Sequence, residues 1–250
     1  MDGVVGNMKI VATIEARMKS SRLPGKVLRP ILGRPMLELL VERVRRAKKV
    51  DEVVIATVAD SSCDPIVEMA QKNGISFFRG SEDDVLDRVL QAALHASADT
   101  IVELTGDNPL VDPGIIDRTI ECYLESKADY CSSHLNRHLP LGMDVQVFST
   151  AVLKKVSTLT NAQRDREHVS LFIYEHPELF KLVKFESGLK GDYSSLRLTV
   201  DTKEDFLLAS DIFMELYGRN PVFTLVDILA LLKSKPGLFE RNKQVVQKKA

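Results

Sequence analysis

Short β-branched runs alternate with helical patterns along the first half of this sequence, and this alternation limits the possible folds most. The strand-like runs cover residues 10–14, 53–56, 76–78 and 99–104. Between them, apolar residues recur at the three- and four-residue spacing of a helix. Strands separated by helices are typical of βαβ units. We therefore predict an α/β fold with a mixed, mostly parallel central sheet.

The second half is less regular. Residues 129–132, 182–185 and 196–200 read as further strands, and residues 145–148 alternate as an antiparallel strand does. Residues 161–176 have a helical pattern. These segments predict a small antiparallel excursion from the parallel sheet.

Capping residues mark several helix starts. Thr202 with Asp205, and Thr224 with Asp227, have the spacing of a capping box, with Asp in place of Glu. Ser81 is the candidate cap of the helix after the third strand.

Composition and charge exclude several classes of protein. The 250 residues carry 34 Lys and Arg against 35 Asp and Glu, so the net charge of -1 gives no global attraction to nucleic acid or membrane. No apolar run approaches the ~20 residues that span a bilayer. The three cysteines form no CxxC motif, and the N-terminus lacks a secretory pattern. We expect a cytoplasmic single domain, residues 1–250, with a frayed tail at 242–250.

A basic loop, residues 16–26, follows the first strand. Arg17, Lys19, Arg22 and Lys26 lie within ten positions of it, with Pro24 and Gly25 forming a turn. Ligands of open α/β sheets bind at the carboxyl ends of strands, so the loop indicates a polyphosphate site. A solvated surface loop is the alternative interpretation.

Two acids are also expected at strand ends. Asp107 follows the strand at 99–104 and Asp201 follows the run at 196–200. Mg²⁺ prefers carboxylate and phosphate oxygens and usually takes one or two protein carboxylates. The chain therefore offers candidate Mg²⁺ ligands beside candidate phosphate-binding residues, although each Asp is also a plausible helix cap or turn residue.

Three ordered motifs resemble those of the sugar-acid cytidylyltransferases. Residues 17–26, Arg-Met-Lys-Ser-Ser-Arg-Leu-Pro-Gly-Lys, resemble the signature loop of the family. Residues 106–110, Gly-Asp-Asn-Pro-Leu, resemble its metal-binding segment, and residues 200–205 resemble its late D-T-x-E-D segment. Residues 79–88 and 166–169 resemble the SpsF-like spore-coat polysaccharide branch most closely. Three motifs in order are far more specific than one.

The resemblance implies a GT-A-like, Rossmann-like three-layer fold. It also implies a cytidylyltransferase that moves CMP from CTP to a sugar acid for cell-surface or spore-coat polysaccharide synthesis, with Mg²⁺ as cofactor and pyrophosphate released. A homodimer is implied, with residues 134–190 forming the acceptor-binding and dimerisation region. Thr105 and Asn108 depart from the residues common in relatives that act on 3-deoxy-manno-octulosonate.

Residue roles follow from the same resemblance. The catalytic residues would be Arg17, Lys26 and Asp107, and the metal ligands Asp107 and Asp201. The nucleotide would contact the backbone of residues 12–16 and the residues Ala16, Arg17, Ser20, Arg22, Lys26, Arg79 and Thr105. The acceptor would contact Asn108, Asp144, Gln146, Glu167 and His168.

Other interpretations remain open. His134 and His138 are four residues apart, but a zinc site would need further ligands. A GT-A glycosyltransferase normally has an acid two positions after Asp107, which this chain lacks. A non-catalytic nucleotide-binding protein, and transfer to a phosphorylated or phosphonate acceptor giving a CDP-type product, are the remaining alternatives.

Overall fold

The computed structural model describes residues 8–135 and 137–247. The strands of this part of the chain are Ile10–Glu15 (β1), Pro30–Ile31 (β2), Arg34–Pro35 (β3), Glu52–Val58 (β4), Ser76–Gly80 (β5), Thr100–Thr105 (β6), Tyr130–Ser132 (β7), Gln146–Ser149 (β8) and Leu182–Lys184 (β9). Seven of them form one sheet in the order β5-β4-β1-β6-β8-β7-β9, and β2 pairs with β3 in a two-stranded antiparallel sheet. Strand β8 is antiparallel to both β6 and β7, while the other pairs of the large sheet are parallel. The predicted mixed, mostly parallel sheet is confirmed.

Helices cover both faces of the large sheet. They are Met36–Val44 (α1), Asp64–Lys72 (α2), Val85–His95 (α3), Pro113–Ser126 (α4), Thr150–Leu159 (α5), Gln163–Glu167 (α6), Leu171–Glu175 (α7), Lys203–Leu216 (α8), Leu225–Ser234 (α9) and Pro236–Phe239 (α10). Apolar residues of α1, α2, α4, α8 and α9 form one buried cluster, and those of α3, α5 and α7 form another. The two clusters pack on opposite sheet faces because neighbouring strand residues point to opposite sides. The architecture is three-layered. None of the helices described is long and apolar enough to cross a membrane.

Both predicted capping boxes are present, at Thr202 with Asp205 and at Thr224 with Asp227. The start of α3 differs from the prediction. Asp84, not Ser81, caps the helix by accepting from Asp87 N, whereas Ser81 Oγ accepts from Asp84 N one turn earlier.

The segment at 196–200 is not a strand of the sheet, which corrects the prediction. Its residues pair with loops instead: Leu198 N donates to Leu141 O at 2.7 Å, and Val200 N donates to Asp107 O at 2.8 Å. The close approach requires Gly142, since a Cβ there would lie 2.5 Å from Thr199 N. Asp201 therefore reaches the carboxyl end of the sheet from a loop-paired segment.

Two further predictions need correction. The helix expected over 161–176 is broken into α6 and α7, with Val169 between them at a φ of 43°. The tail is not frayed at its start, because Asn242 is 2% exposed and donates to Arg197 O at 2.9 Å. Residues 248–250 of that predicted tail lie outside the described residues.

Candidate functional site

A central cleft of about 740 Å³ lies at the carboxyl ends of β1 and β6. The register of the two strands places Glu15 beside Thr105, so the segments that follow both strands enter the cleft together. The sequence-predicted site residues that line it are Ala16, Arg17, Ser20, Arg22, Lys26, Thr105, Asp107, Asn108, Asp144, Gln146, Glu167, His168 and Asp201. The structure thus brings together residues from the beginning, middle and end of the chain.

The basic loop folds back so that its last residue turns inward. Gly25 has a φ of 67° and its N–H donates to Met18 O at 2.9 Å, which closes the loop. Positive φ is the backbone conformation that glycine adopts readily. Lys26 follows directly and is only 9% exposed, whereas Arg17 stays exposed at the edge of the cleft.

Lys26 joins the two acids that the sequence predicts as metal ligands. Its Nζ lies 2.9 Å from Asp107 Oδ2 and 2.9 Å from Asp201 Oδ1, and it also donates to Val200 O. Although burial alone would lower the pKa of Lys26, the two carboxylates raise it above its ordinary value. Lys26 therefore stays charged between them.

Asp201 is held from three sides. Besides Lys26, Arg22 Nη2 lies 3.0 Å from its Oδ1 and Arg197 Nη2 lies 2.7 Å from its Oδ2. Burial favours the neutral acid, but these cations lower the pKa of Asp201 below its ordinary value, Lys26 most strongly. Asp201 is accordingly an anion at neutral pH.

A short hydrogen-bond chain orients Asp107. Thr105 Oγ1 donates to Asp107 Oδ1 at 2.5 Å, and Asn108 Nδ2 donates to Thr105 Oγ1 at 3.0 Å. Gly106 permits this turn, because a Cβ would lie 2.8 Å from Glu15 O. Asn108, predicted as an acceptor contact, thus also positions Asp107 through Thr105.

The two carboxylates suit a small cation. One oxygen of each approaches the same positively charged atom, Lys26 Nζ, at hydrogen-bond distance. Two carboxylates completed by phosphate and water oxygens are a donor set typical of Mg²⁺. No cluster of three or more His, Cys, Asp or Glu side chains suited to a metal occurs in 8–135 or 137–247. His134 instead contacts Ser132, and His138 contacts Ser187.

Four of the predicted acceptor residues, Asp144, Gln146, Glu167 and His168, line the cleft with Asn108. Gln146 Oε1 accepts from Tyr130 and Ser170, at 2.6 and 2.7 Å, so its position is fixed. Asp144 Oδ2 accepts from Gly142 N at 3.1 Å. Glu167 and His168 are exposed at the edge.

The structure does not bring Arg79 into the cleft. Its guanidinium lies 2.8 Å from Asp64 and donates to the backbone carbonyls of Val58 and Asp60. These contacts hold it beside the carboxyl ends of β4 and β5.

Sequence reasoning missed three charged residues that line the cleft, the half-buried Glu15 and the buried Glu103 and Arg88. Burial raises the pKa of Glu15 to about 7 against the opposing charge of Arg88. Burial and the charge of Glu15 raise the pKa of Glu103 well above its ordinary value. An acid within an otherwise apolar strand was the available signal, since Glu103 stands between Val102 and Leu104. Gln247, in the predicted frayed tail, also lines the cleft.

Comparison with known proteins gives consistent results. The family model described as "Cytidylyltransferase" matches residues 11–241. The chain is 37% identical to the spore coat polysaccharide biosynthesis protein SpsF of Bacillus subtilis over 233 residues, which cover 91% of this chain and 95% of that protein. A solved cytidylyltransferase from Leptospira borgpetersenii superposes with a TM-score of 0.88 at 32% identity, covering 98% of this chain and 100% of that one. A CMP:2-keto-3-deoxy-manno-octonic acid synthetase solved with CTP shares the fold, with a TM-score of 0.62 at 20% identity over 83% of this chain and 99% of that one.

Proposed function

Because this chain belongs to the cytidylyltransferase family, and is therefore a nucleotidyltransferase, we propose that it transfers CMP from CTP to a sugar acid with release of pyrophosphate. The product would serve the synthesis of a cell-surface or spore-coat polysaccharide. One observation carries the proposal: Lys26, from the basic loop, meets Asp107 and Asp201 at the end of the cleft. That arrangement provides both phosphate-binding cations and cation-binding carboxylates.

The basic loop binds the triphosphate of CTP in this proposal. Arg17 and Arg22 line the same cleft as Lys26, and guanidinium groups bind phosphate through paired, charge-assisted hydrogen bonds. Ser20 and Ala16 also line the cleft. Lys26 leaves the two carboxylates and moves to the phosphates when CTP enters.

Asp107 and Asp201 hold Mg²⁺ in the same proposal. When bound, the ion neutralises phosphate charge and polarises the α-phosphate. Thr105 and Asn108 keep the Asp107 carboxylate oriented, and Arg197 keeps Asp201 in place.

The reaction is an in-line substitution at the α-phosphorus. An acceptor oxygen forms the new bond to phosphorus, the bond to the bridging oxygen of the β-phosphate breaks, and pyrophosphate leaves. Such transfers depend on positioning and charge neutralisation more than on covalent catalysis. Lys26 and Arg17 stabilise the charge that develops on the phosphates.

The test is release of pyrophosphate from CTP and Mg²⁺ with candidate sugar acids. We expect Lys26→Ala and Asp107→Asn to fold normally and to lower kcat/KM by at least about 10²- to 10³-fold, since each removes a charge at the transferring group. Lys48→Ala, which removes an exposed lysine outside the cleft, is the matched control.

Near-normal turnover in Lys26→Ala or Asp107→Asn would reject these roles. Pyrophosphate release that requires a phosphorylated or phosphonate acceptor would replace the sugar acid by that class.

We also propose a homodimer formed through residues 134–190. Light scattering after gel filtration measures its mass directly.

A further inference from the structure

Each of the two carboxylates proposed as metal ligands has one oxygen that a neighbouring side chain already occupies. Asp107 Oδ1 accepts from the Thr105 hydroxyl at 2.5 Å, and Asp201 Oδ2 accepts from Arg197 Nη2 at 2.7 Å. The other two oxygens, Asp107 Oδ2 and Asp201 Oδ1, both accept from Lys26 Nζ at 2.9 Å. One oxygen of each acid therefore contacts the shared cation, while the second has a donor of its own. Thr105 and Arg197 are called here the capping donors.

Asn108 fixes the direction of the Thr105 hydrogen bond. Its Nδ2 donates to Thr105 Oγ1 at 3.0 Å, so the hydroxyl accepts from the amide and keeps its single proton for Asp107. Asn108 is only 5% exposed. The Thr105 hydroxyl is consequently committed to Asp107 Oδ1.

The Arg197 guanidinium is fixed by a second acid. Its Nε and Nη2 donate to the two oxygens of the buried Asp205, at 2.8 and 3.1 Å. By contrast, the cations that contact Asp201 Oδ1 are Lys26 and Arg22, which belong to the basic loop. The proposed function assigns that loop to phosphate. The capping donors lie outside the loop, so they stay with the two carboxylates when the loop cations bind phosphate.

Building on the proposed function, in which Asp107 and Asp201 hold the metal ion, we propose that Thr105 and Arg197 restrict each carboxylate to one coordinating oxygen and so select Mg²⁺ over Ca²⁺. Mg²⁺ requires near-ideal octahedral geometry and usually takes only one or two carboxylates, with water or phosphate oxygens completing its ligands. Ca²⁺ takes more oxygens and often binds a carboxylate through both of them. Bidentate binding here competes with the capping hydrogen bonds.

The test removes one capping donor and measures metal preference in a Lys26→Met background, where the Lys26 ammonium no longer competes for the site. Thr105→Val replaces the hydroxyl by a methyl group of similar size and frees Asp107 Oδ1. Displacement of bound Mn²⁺ by Mg²⁺ and by Ca²⁺, followed by electron paramagnetic resonance, gives both affinities without turnover. We expect the ratio of Ca²⁺ to Mg²⁺ affinity to rise at least about fivefold, since Asp107 can then bind Ca²⁺ through both oxygens.

Three further variants define the effect. Thr105→Ala removes the same donor with a smaller side chain and should shift the ratio in the same direction. Thr105→Ser keeps the hydroxyl and should keep the ratio of the background. Thr158→Val removes an exposed hydroxyl on α5, which donates to Lys155 O, and should also leave the ratio unchanged. Arg197 is not substituted, because its removal would also take the guanidinium partner from buried Asp205.

Three outcomes overturn the inference. An unchanged ratio in Thr105→Val and Thr105→Ala, even with weaker binding of both ions, would mean that Thr105 merely supports Asp107. A ratio that shifts equally in Thr105→Ser would exclude the hydroxyl as the cause. A folded background that binds no Mn²⁺ would show that the two acids form no metal site. Failure of the proposed function is separate, because pyrophosphate would then not be released with any acceptor, whereas the metal affinities are measured without CTP.

Discussion

Glu15 is a residue at which burial and charge oppose each other. Its carboxyl oxygen Oε1 is buried, and the carboxyl interacts with Glu103, with Arg88 and Arg17 as nearby cations and Asp107 as a nearby anion. The neutral acid is favoured at such a site, so the pKa of Glu15 rises from 4.5 to about 7. This acid therefore lowers the free energy of unfolding at pH values near and above 7.

We expect Glu15→Gln to be about as stable as wild type at pH 4 and more stable at pH 8. Folded Glu15 keeps a proton that the unfolded chain releases above pH 4.5, so this residue makes stability fall as pH rises from 4.5 to about 7. Glutamine is always neutral and avoids that loss. Urea unfolding of both proteins at the two pH values measures the effect. A variant that is less stable than wild type at pH 8 would contradict it.

At the scale of elements, the loops around the cleft determine the site more than the strands do. The segment at 196–200 carries Asp201 to the cleft while paired with Leu141 and Asp107 rather than with a strand. The apolar pattern of this segment could not distinguish the two arrangements, because residues 197–200 are buried in the loop-paired segment just as they would be in a strand of the sheet. Only the close packing at Gly142 distinguishes them, and that contact joins residues far apart in sequence.

Gly142→Ala should destabilise the protein by at least about 2 kcal/mol, because alanine is strained at a φ of 103° and its Cβ would clash with Leu198 and Thr199. Turnover should also fall, since the displaced segment carries Asp201. Gly218→Ala is the control, because a Cβ there has no atom within 4 Å. Thermal unfolding and pyrophosphate release measure the two effects. Equal behaviour of the two variants would show that the contact at Gly142 is not required.

At the scale of the whole molecule, residues 242–247 contact the segment that carries Asp201. Asn242 Nδ2 donates to Arg197 O and to Asp205 Oδ1, and Gln247 accepts from Arg197 while lining the cleft. The polar composition of this tail predicted fraying. Composition alone does not reveal that Asn242 and Gln247 have hydrogen-bond partners in a distant segment.

Asn242→Ala should lower the free energy of unfolding by about 1 to 3 kcal/mol, because it removes the donor to the buried Arg197 carbonyl and one of the two donors to Asp205 Oδ1. Lys243→Ala removes an exposed ion pair with Glu240 and a contact with the Phe239 ring, and it should change the free energy of unfolding by less than about 0.5 kcal/mol. Chemical denaturation compares the two variants. An unaffected Asn242→Ala would leave the tail with no stabilising role.

The sequence predicted the sheet and most of the cleft because both follow from local rules. Strand ends in an α/β sheet converge, and this alone placed Asp107 with the basic loop. Glu15 and Glu103 were not predicted as cleft residues, because a single acid within a strand gives no local indication of its partner. The contacts of Arg79 with Asp64 likewise depend on how loops pack, which residue spacing does not encode.

Lys26 donates hydrogen bonds to Asp107 and Asp201, which are 81 and 175 positions further along the chain. Closing such long loops costs entropy before any contact compensates for it, so these bonds are expected to form late in folding. A nascent chain that has not reached Asp201 has a basic loop but no completed cleft. Under the function proposed above, nucleotide binding would then require the segment that carries Asp201 to have docked, so nucleotide affinity would report complete folding.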